Sequence, residues 1–348
     1  MNNSRSDSSS PQTDTPKACG WKAALRRHRR KLLLLLLAVL LAVGVGPYVV
    51  SRARSAGRRV RIVELPDVAA AEFTGNVRTL RILTYNIAHG RGATDGNWDE
   101  GGDAKRKRIA AIANLIAKQK PDVVVLNEID FHAVWSGGQN QAEAIARQAG
   151  FRYRVEQRNI DFRFAYGSWK FGNAVLSRYP IIATELIDYP PVAVWEAWLA
   201  GKKRGVVCTL ELSPGQRVQV VAVHLETRDM IARLRAARVL LNRKRDASLP
   251  MILAGDFNAS PVGFPYSERA PAEYGRVNTM DMLTALGRLD HRPKENPQLA
   301  DFTYPTMSPD RVIDWVLIPR EWRFTDYRVI DSDLSDHRPV IATVQFAE

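Results

Sequence analysis

Two cysteines stand in a chain of 348 residues, Cys19 near the start and Cys208 alone in the body. A pair so placed supplies neither a disulfide framework for the body nor a Cys-based zinc site. Histidine is scarce as well, six in all, which argues further against zinc. No repeat recurs at solenoid spacing. Acidic residues are nearly missing from the first 60 positions, where two Asp face twelve Lys and Arg. That imbalance holds +10 of the formal net charge of +13, so the other 288 residues are close to neutral. The basicity belongs to the tail and is no argument that the body binds DNA or RNA. With 45% hydrophobic residues, the chain has enough apolar content for one large core or two modest ones.

Residues 1–16 are Ser, Asn, Asp, Thr and Pro with nothing to bury, and read as disordered within a basic tail, 1–31. A basic cluster, Arg26 to Lys31, precedes an uncharged run of 19 residues, 32–50, with six successive leucines. That length is close to the ~20 residues that cross a bilayer and longer than the ~7–15 of a signal peptide, so a single transmembrane helix is expected. The alternative is a cleaved signal peptide, because Ala42, Gly44 and Gly46 make the end of the run small-residued. Seven Lys and Arg lie in 17–31 against five in 52–61, a bias that places the N-terminus in the cytoplasm and the body on the far side. Residues 51–78, with Pro66 and weak periodicity, read as a tether.

From Leu80 onward strand-like and helix-like patterns alternate. Strands are expected at Leu80–Tyr85, Val123–Leu126, Ala174–Leu176, Val206–Leu212, Val218–Leu225, Met251–Ala254, Val312–Ile318 and Val340–Phe346. Helices are expected at Lys105–Lys120, closed by Pro121, at Gln139–Ala149, and from a Thr227 cap through Arg245. On that last helix, Arg233 and five other basic residues read as a solvated face. The mixture predicts an α/β layered domain over 79–348, with sheets covered by helices.

The chain is organised around LAGDFNAS, Leu253 to Ser260. A buried strand breaks at Gly255 and presents Asp256 and Asn258, which either form an Asx-type turn or put polar groups at a sheet rim where a ligand can reach them. The pattern recurs: apolar runs end in Asn86 (TYN), Glu128 (NE), His224 (HLE) and Asp256, Asp314 sits in VIDWVLI, and Asp336 and His337 stand in SDHRP. Carboxylates at such ends are costly unless they pair or hold a cation. Oxygen-rich ligands suit a hard ion, Mg2+ or Mn2+.

TYN, NE, GN-x-VLSRYPI, HLE, GDFN, IDW and SDHRPV, in that order, resemble the endonuclease/exonuclease/phosphatase superfamily over roughly residues 79–348. The resemblance implies a four-layer α/β/β/α sandwich of two mostly antiparallel facing sheets, with the active site at one rim. It implies Glu128 as principal metal ligand with Asn86 and Asp336 close to it, and Asp256 orienting or deprotonating the attacking water. Asn258 would hold a phosphate oxygen, and His224 and His337, the latter oriented by Asp314, would donate hydrogen bonds to the phosphate. Asn127 stands where a glutamine is usual, and His224 stands near where abasic-site endonucleases carry a tyrosine. The expectation is a membrane-tethered, metal-dependent phosphoester hydrolase, acting on a phosphodiester of a nucleic acid or a phospholipid head group, with no obligate protein partner. A tethered, non-catalytic binding module is the alternative from another class.

Outside that set, Asn173 is expected to line the site or shape a turn. Trp195 and Trp198 are expected to pack, with insertion into a membrane surface as the alternative.

Overall fold

The computed structural model describes residues 19–55, 59–70, 75–164, 167–199, 201–286 and 288–347. The expected disordered stretch 1–16 lies outside them. The chain divides into two units, Met1–Val50 and Ser51–Glu348. In the first, helix α1, Cys19–Leu40, runs through a π turn, Leu41–Val45, into α2, Gly46–Ser55. Ala24–Ser51 is long and apolar enough to cross a membrane. Its leucines 32–37 are more than half exposed, so the structure offers no protein core for them.

The body is built on two sheets, each around one parallel pair. In the seven-stranded sheet, β2 (Thr79–Asn86) pairs in parallel with β3 (Val123–Asp130), joined by helix α3 (Gly102–Gln119). In the six-stranded sheet, β8 (Gln216–His224) pairs in parallel with β9 (Met251–Asp256), joined by α6 (Met230–Asp246). A parallel pair needs a crossover, and a helix supplies it in both sheets. All remaining neighbours are antiparallel. The first sheet continues to one side through β5 (Gly167–Ser177), β4 (Tyr153–Phe164) and β1 (Val60–Glu64), and to the other through β13 (Val340–Gln345) and β12 (Arg323–Val329). The second continues through β7 (Arg204–Ser213) and β6 (Ile181–Asp188) on one side, and β11 (Asp314–Pro319) and β10 (Leu289–Asp290) on the other.

Strand alternation sorts the side chains into layers. Ile82, Val125, Val220, Ala254, Val316 and Ala342 meet between the sheets. Leu83, Val124 and Leu126 face outward onto α3 and α4 (Gln141–Ala149). Val221, Leu253, Trp315 and Leu317 face α6 and α7 (Thr279–Ala285). Helix, sheet, sheet and helix layers are the expected sandwich.

Four details differ from expectation. The tether contains β1, which pairs with β4 from Val60↔Gln157 to Glu64↔Tyr153, so the folded body begins well before residue 79. Its alternation is weak because Val60 and Val63 are half-buried and the residues around them are exposed or charged, as suits an edge strand. Helix α6 starts two residues later than expected, with Asp229 rather than Thr227 as its cap, accepting from the Ala232 amide. Its Arg233 is buried: the guanidinium donates to the Glu226 and Thr227 carbonyls at 2.9 Å each and pairs with Glu268. Strands β4 and β12 were not expected because charged residues recur through them, and β6 because Ala183, Thr184 and Glu185 interrupt its apolar pattern.

Candidate active site

The same alternation that fills the inter-sheet core carries a polar set to one rim. Asn86 ends β2, and His224 and Asp256 end β8 and β9 opposite each other. Asp314 opens the antiparallel β11 directly across from Asp256, and His337 lies three residues before β13, beside the start of that antiparallel strand. Asn86, Ala254 and Asp256, Ala222 and His224, and Asp314 and Val316 each continue an inward-facing row. Strand ends in parallel pairs are where an open α/β sheet offers its ligand crevice.

Glu128 reaches this rim by a different device. Asn127 faces inward opposite Asn173, yet Ile129, not Glu128, pairs with Gly172. Glu128 is the extra residue of a β-bulge, held at φ 50. A left-handed non-glycine residue in a bulge is a strained conformation of the kind concentrated at functional sites. Gly255 makes the close approach beside it possible: a Cβ there would lie 1.9 Å from the Val223 carbonyl oxygen, so no other residue fits.

Asp256 is the most tightly held group. It accepts from Asn86 Nδ2 at 3.1 Å, from the Asn258 amide at 2.8 Å and from Asn258 Nδ2 at 3.1 Å. Asn86 Oδ1 in turn accepts from the Ala88 amide. Both asparagines thus orient Asp256 instead of presenting free polar ends. Burial pushes the Asp256 pKa up to about 6, against the charge of His337. His337 has its Nδ1 2.8 Å from Asp314 Oδ2 and its Nε2 3.9 Å from Asp256 Oδ2. Burial opposes its charge, but Asp314, Asp256 and Asp336 push its pKa up to about 10. Donor atoms of Asp256, Asp314 and His337 lie within 4.8 Å of one another, close enough to hold a metal ion.

His224 behaves oppositely. Burial, together with Lys203, lowers its pKa well below that of an ordinary imidazole. The neutral ring accepts at Nε2 from Lys203 Nζ, and its Nε2 stands 3.6 Å from Asp256 and 3.7 Å from Glu128. The cationic donor at this wall is therefore Lys203, with His224 behind it.

Four residues of the rim were not singled out from sequence: Lys203, His89, Arg91 and Asp130. His89 Nδ1 lies 2.7 Å from Asp130 Oδ1, and its Nε2 lies 3.6 Å from Glu128. Burial opposes its charge, but Asp130 holds its pKa above the usual value. Arg91 stands 3.5 Å from Glu128 and 2.6 Å from Asp336. The stretch NIAHGRG, directly after the end of β2, was the available signal.

Asn173 neither lines the site nor shapes a turn. It is fully buried, accepts from Asn127 Nδ2 at 2.8 Å and donates to the Arg204 carbonyl at 2.8 Å. Asn127 Nδ2 also donates to the Val223 carbonyl, and Asn127 Oδ1 accepts from the Asp256 amide. These two amides bolt the sheets together directly beneath the site.

Two clefts diverge from Glu128. One, of about 220 Å³, has apolar walls from Phe171, Tyr189, Pro190, Val192 and Ala197, with His89, Lys203 and His224 at its base. The other, of about 500 Å³, is lined by Arg91, Arg233, Tyr266, Tyr304, Arg311, Asp256 and His337.

The profile of the Endonuclease/Exonuclease/phosphatase family matches residues 83–337. The chain belongs to that family. No curated protein matches it by sequence. Among solved structures, a family member from Beutenbergia cavernae is 22% identical, with a TM-score of 0.56 over 78% of this chain and 72% of that one. The mannosyl-6-phosphatase Bt3783 of Bacteroides thetaiotaomicron is 15% identical, with a TM-score of 0.52 over 77% of this chain and 100% of that one. The human Nocturnin catalytic domain, solved with a bound sulfate anion, is 17% identical, with a TM-score of 0.50 over 83% and 98%. At these identities the likeness is one of fold. Family members are phosphoester hydrolases that generally depend on a divalent metal, and this rim has the oxygen ligands for one.

Whether the residues fit such an ion is decided by Glu128. Its carboxylate lies 3.5–3.7 Å from Arg91, His89 and His224, outside hydrogen-bonding distance of all three. Even so, burial is outweighed by the charges of His89, Lys203 and Arg91, which hold its pKa far below the usual carboxylate range. An ionised carboxylate with oxygens free of short protein hydrogen bonds, beside Asp336, is a fitting donor for a hard cation.

Proposed function

We propose that the protein is a phosphodiester hydrolase that uses Mg2+ or Mn2+, is tethered to a membrane by Ala24–Ser51, and carries its body on the non-cytoplasmic side. The observation that supports this most is that two clefts of unlike chemistry meet at the Glu128 to His337 rim. A monoester has one substituent to house, whereas a diester has two.

Glu128 and Asp336 would hold the ion, which supplies Lewis-acid stabilisation of the phosphoryl oxygens. Asp256, fixed by three donors, receives a proton from the attacking water; its raised pKa suits it to that exchange near neutrality. His337, kept protonated by Asp314, and Lys203 donate to oxygens on which negative charge builds. A single well-aimed donor of this kind is typically worth ~10²–10³ in rate.

A phospholipid head group is the better substrate reading than a nucleic acid. Each arginine of the larger cleft already has its own acid: Arg91 with Asp336, Arg233 with Glu268, Arg311 with Asp310. So paired, they leave little net field for a polyanion. The test is turnover by the full chain in detergent micelles of bis-p-nitrophenyl phosphate, p-nitrophenyl phosphate, plasmid DNA and a phosphatidylcholine. Metal-dependent cleavage of the diester, lost with EDTA, is expected; preference for the monoester, or indifference to EDTA, would overturn the reading.

A further inference from the structure

The segment between β6 and β7 leaves its largest apolar side chains outside. Val192, Val194, Trp195 and Trp198 are 42%, 80%, 68% and 49% exposed, on or next to the short helix α5, Val194–Leu199. Scattered apolar residues need no explanation, but four within seven positions, two of them tryptophan, form a patch. Immediately behind it lies the apolar-walled cleft, whose walls include Pro190, Val192 and Ala197 and whose base is His224 and Lys203.

The patch adjoins a second exposed tryptophan site. Gly201, just past α5, sits so close to β4 that an added Cβ would lie 2.6 Å from the Asn159 carbonyl oxygen. From there β4 runs on to the β4–β5 hairpin, where Trp169 is 41% exposed and packs edge-on against Phe162. At that hairpin the Arg163 amide donates to Ser51 Oγ at 2.9 Å.

We propose that Val192–Trp198, with Trp169 at the hairpin, is a membrane-entering surface that seats the body on the outer layer of the bilayer and opens the apolar cleft to the acyl region of a lipid phosphoester. This rests on the tether reading above and names a place for the substrate's apolar part. Tryptophan is suited to it, with an apolar body and one N–H for the wet side of the interface. Lys202 and Lys203 flank the patch on the side of the catalytic centre, where a head-group phosphate would sit.

The experiment uses the full chain reconstituted in phosphatidylcholine vesicles, with and without bromine-labelled acyl chains that quench nearby indoles. Flotation with the vesicles reports the tether, and hydrolysis of bis-p-nitrophenyl phosphate reports the chemistry, each independently of the patch. Bromolipid should quench the parent clearly more than W195F/W198F. W195E/W198E should lower turnover of vesicle phospholipid several-fold while turnover of bis-p-nitrophenyl phosphate stays as in the parent. Equal quenching of parent and W195F/W198F would overturn the proposal. So would failure to float, or a detergent-solubilised dimer that W195E/W198E dissociates, which would make the patch a contact between copies.

Discussion

The two halves of the rim come from units of the same design, a parallel strand pair with a crossover helix, yet they treat their acids in opposite ways. The β2–α3–β3 unit delivers Glu128 on a bulge, ionised and without a short hydrogen bond from its cationic neighbours. The β8–α6–β9 unit delivers Asp256 on a regular strand end, held by three donors and with its pKa raised to about 6. A carboxylate kept charged and unclaimed is suited to an ion. One kept immobile and near neutrality is suited to a proton. Local backbone geometry and the surrounding charges, not residue type, separate the two carboxylates in the way the proposed roles require.

The largest effect that would sharpen this contrast is that of Asp256→Ala. It should lower kcat by about 10³-fold on the metal-dependent diester while metal affinity, read by calorimetry, changes little. If affinity collapsed with the rate, the division between the halves would be broken. Glu128→Gln is expected to behave in the reverse sense. Metal affinity should fall by ~10-fold or more, and raising the metal concentration should recover part of the rate, which it should not do for Asp256→Ala.

A smaller effect should come from the link between the halves. Asn127→Ala leaves the buried Asp256 amide and the Val223 carbonyl without their partner and should cost about 1–3 kcal/mol in denaturant unfolding of the body. A loss near zero would mean that the strand ladders alone set the distance between the sheets. Smallest is the pH dependence of the metal-free protein. His337 has its folded pKa raised to about 10 from an ordinary 6.5, so its pairing with Asp314 stabilises the fold fully below about pH 6.5. That contribution should decline as pH rises through about 10, seen as a falling Tm in EDTA. Asp314→Asn should flatten the slope, and an unchanged slope would show that the pair does not set it.

Much of this was legible in the order of residues. Apolar runs closing in Asn86, Glu128, His224 and Asp256, with SDHRP before the last strand, put the right side chains at strand ends, because alternation with period two carries through to the rim. Other features were not legible. Val60–Glu64 read as tether because an edge strand lacks a clear pattern, and Arg233 read as solvated because its acid, Glu268, lies 35 positions away. Trp195 and Trp198 were expected to pack and are exposed instead. Lys203 and His89 could not be ranked above other basic residues, since their importance comes from what they stand beside.

The sequence by itself determined the layered α/β body, the membrane-length helix and which residue types end the central strands, since these follow from hydrophobic periodicity and chain length. Only the tertiary structure decided that Glu128 leaves the strand register at a bulge, that the His337 pKa is raised while that of His224 is lowered, and that two asparagines hold Asp256. Those outcomes depend on burial and on charges brought together from β2, β3, β8, β9 and β11, and no local pattern along the chain encodes a distance between strands.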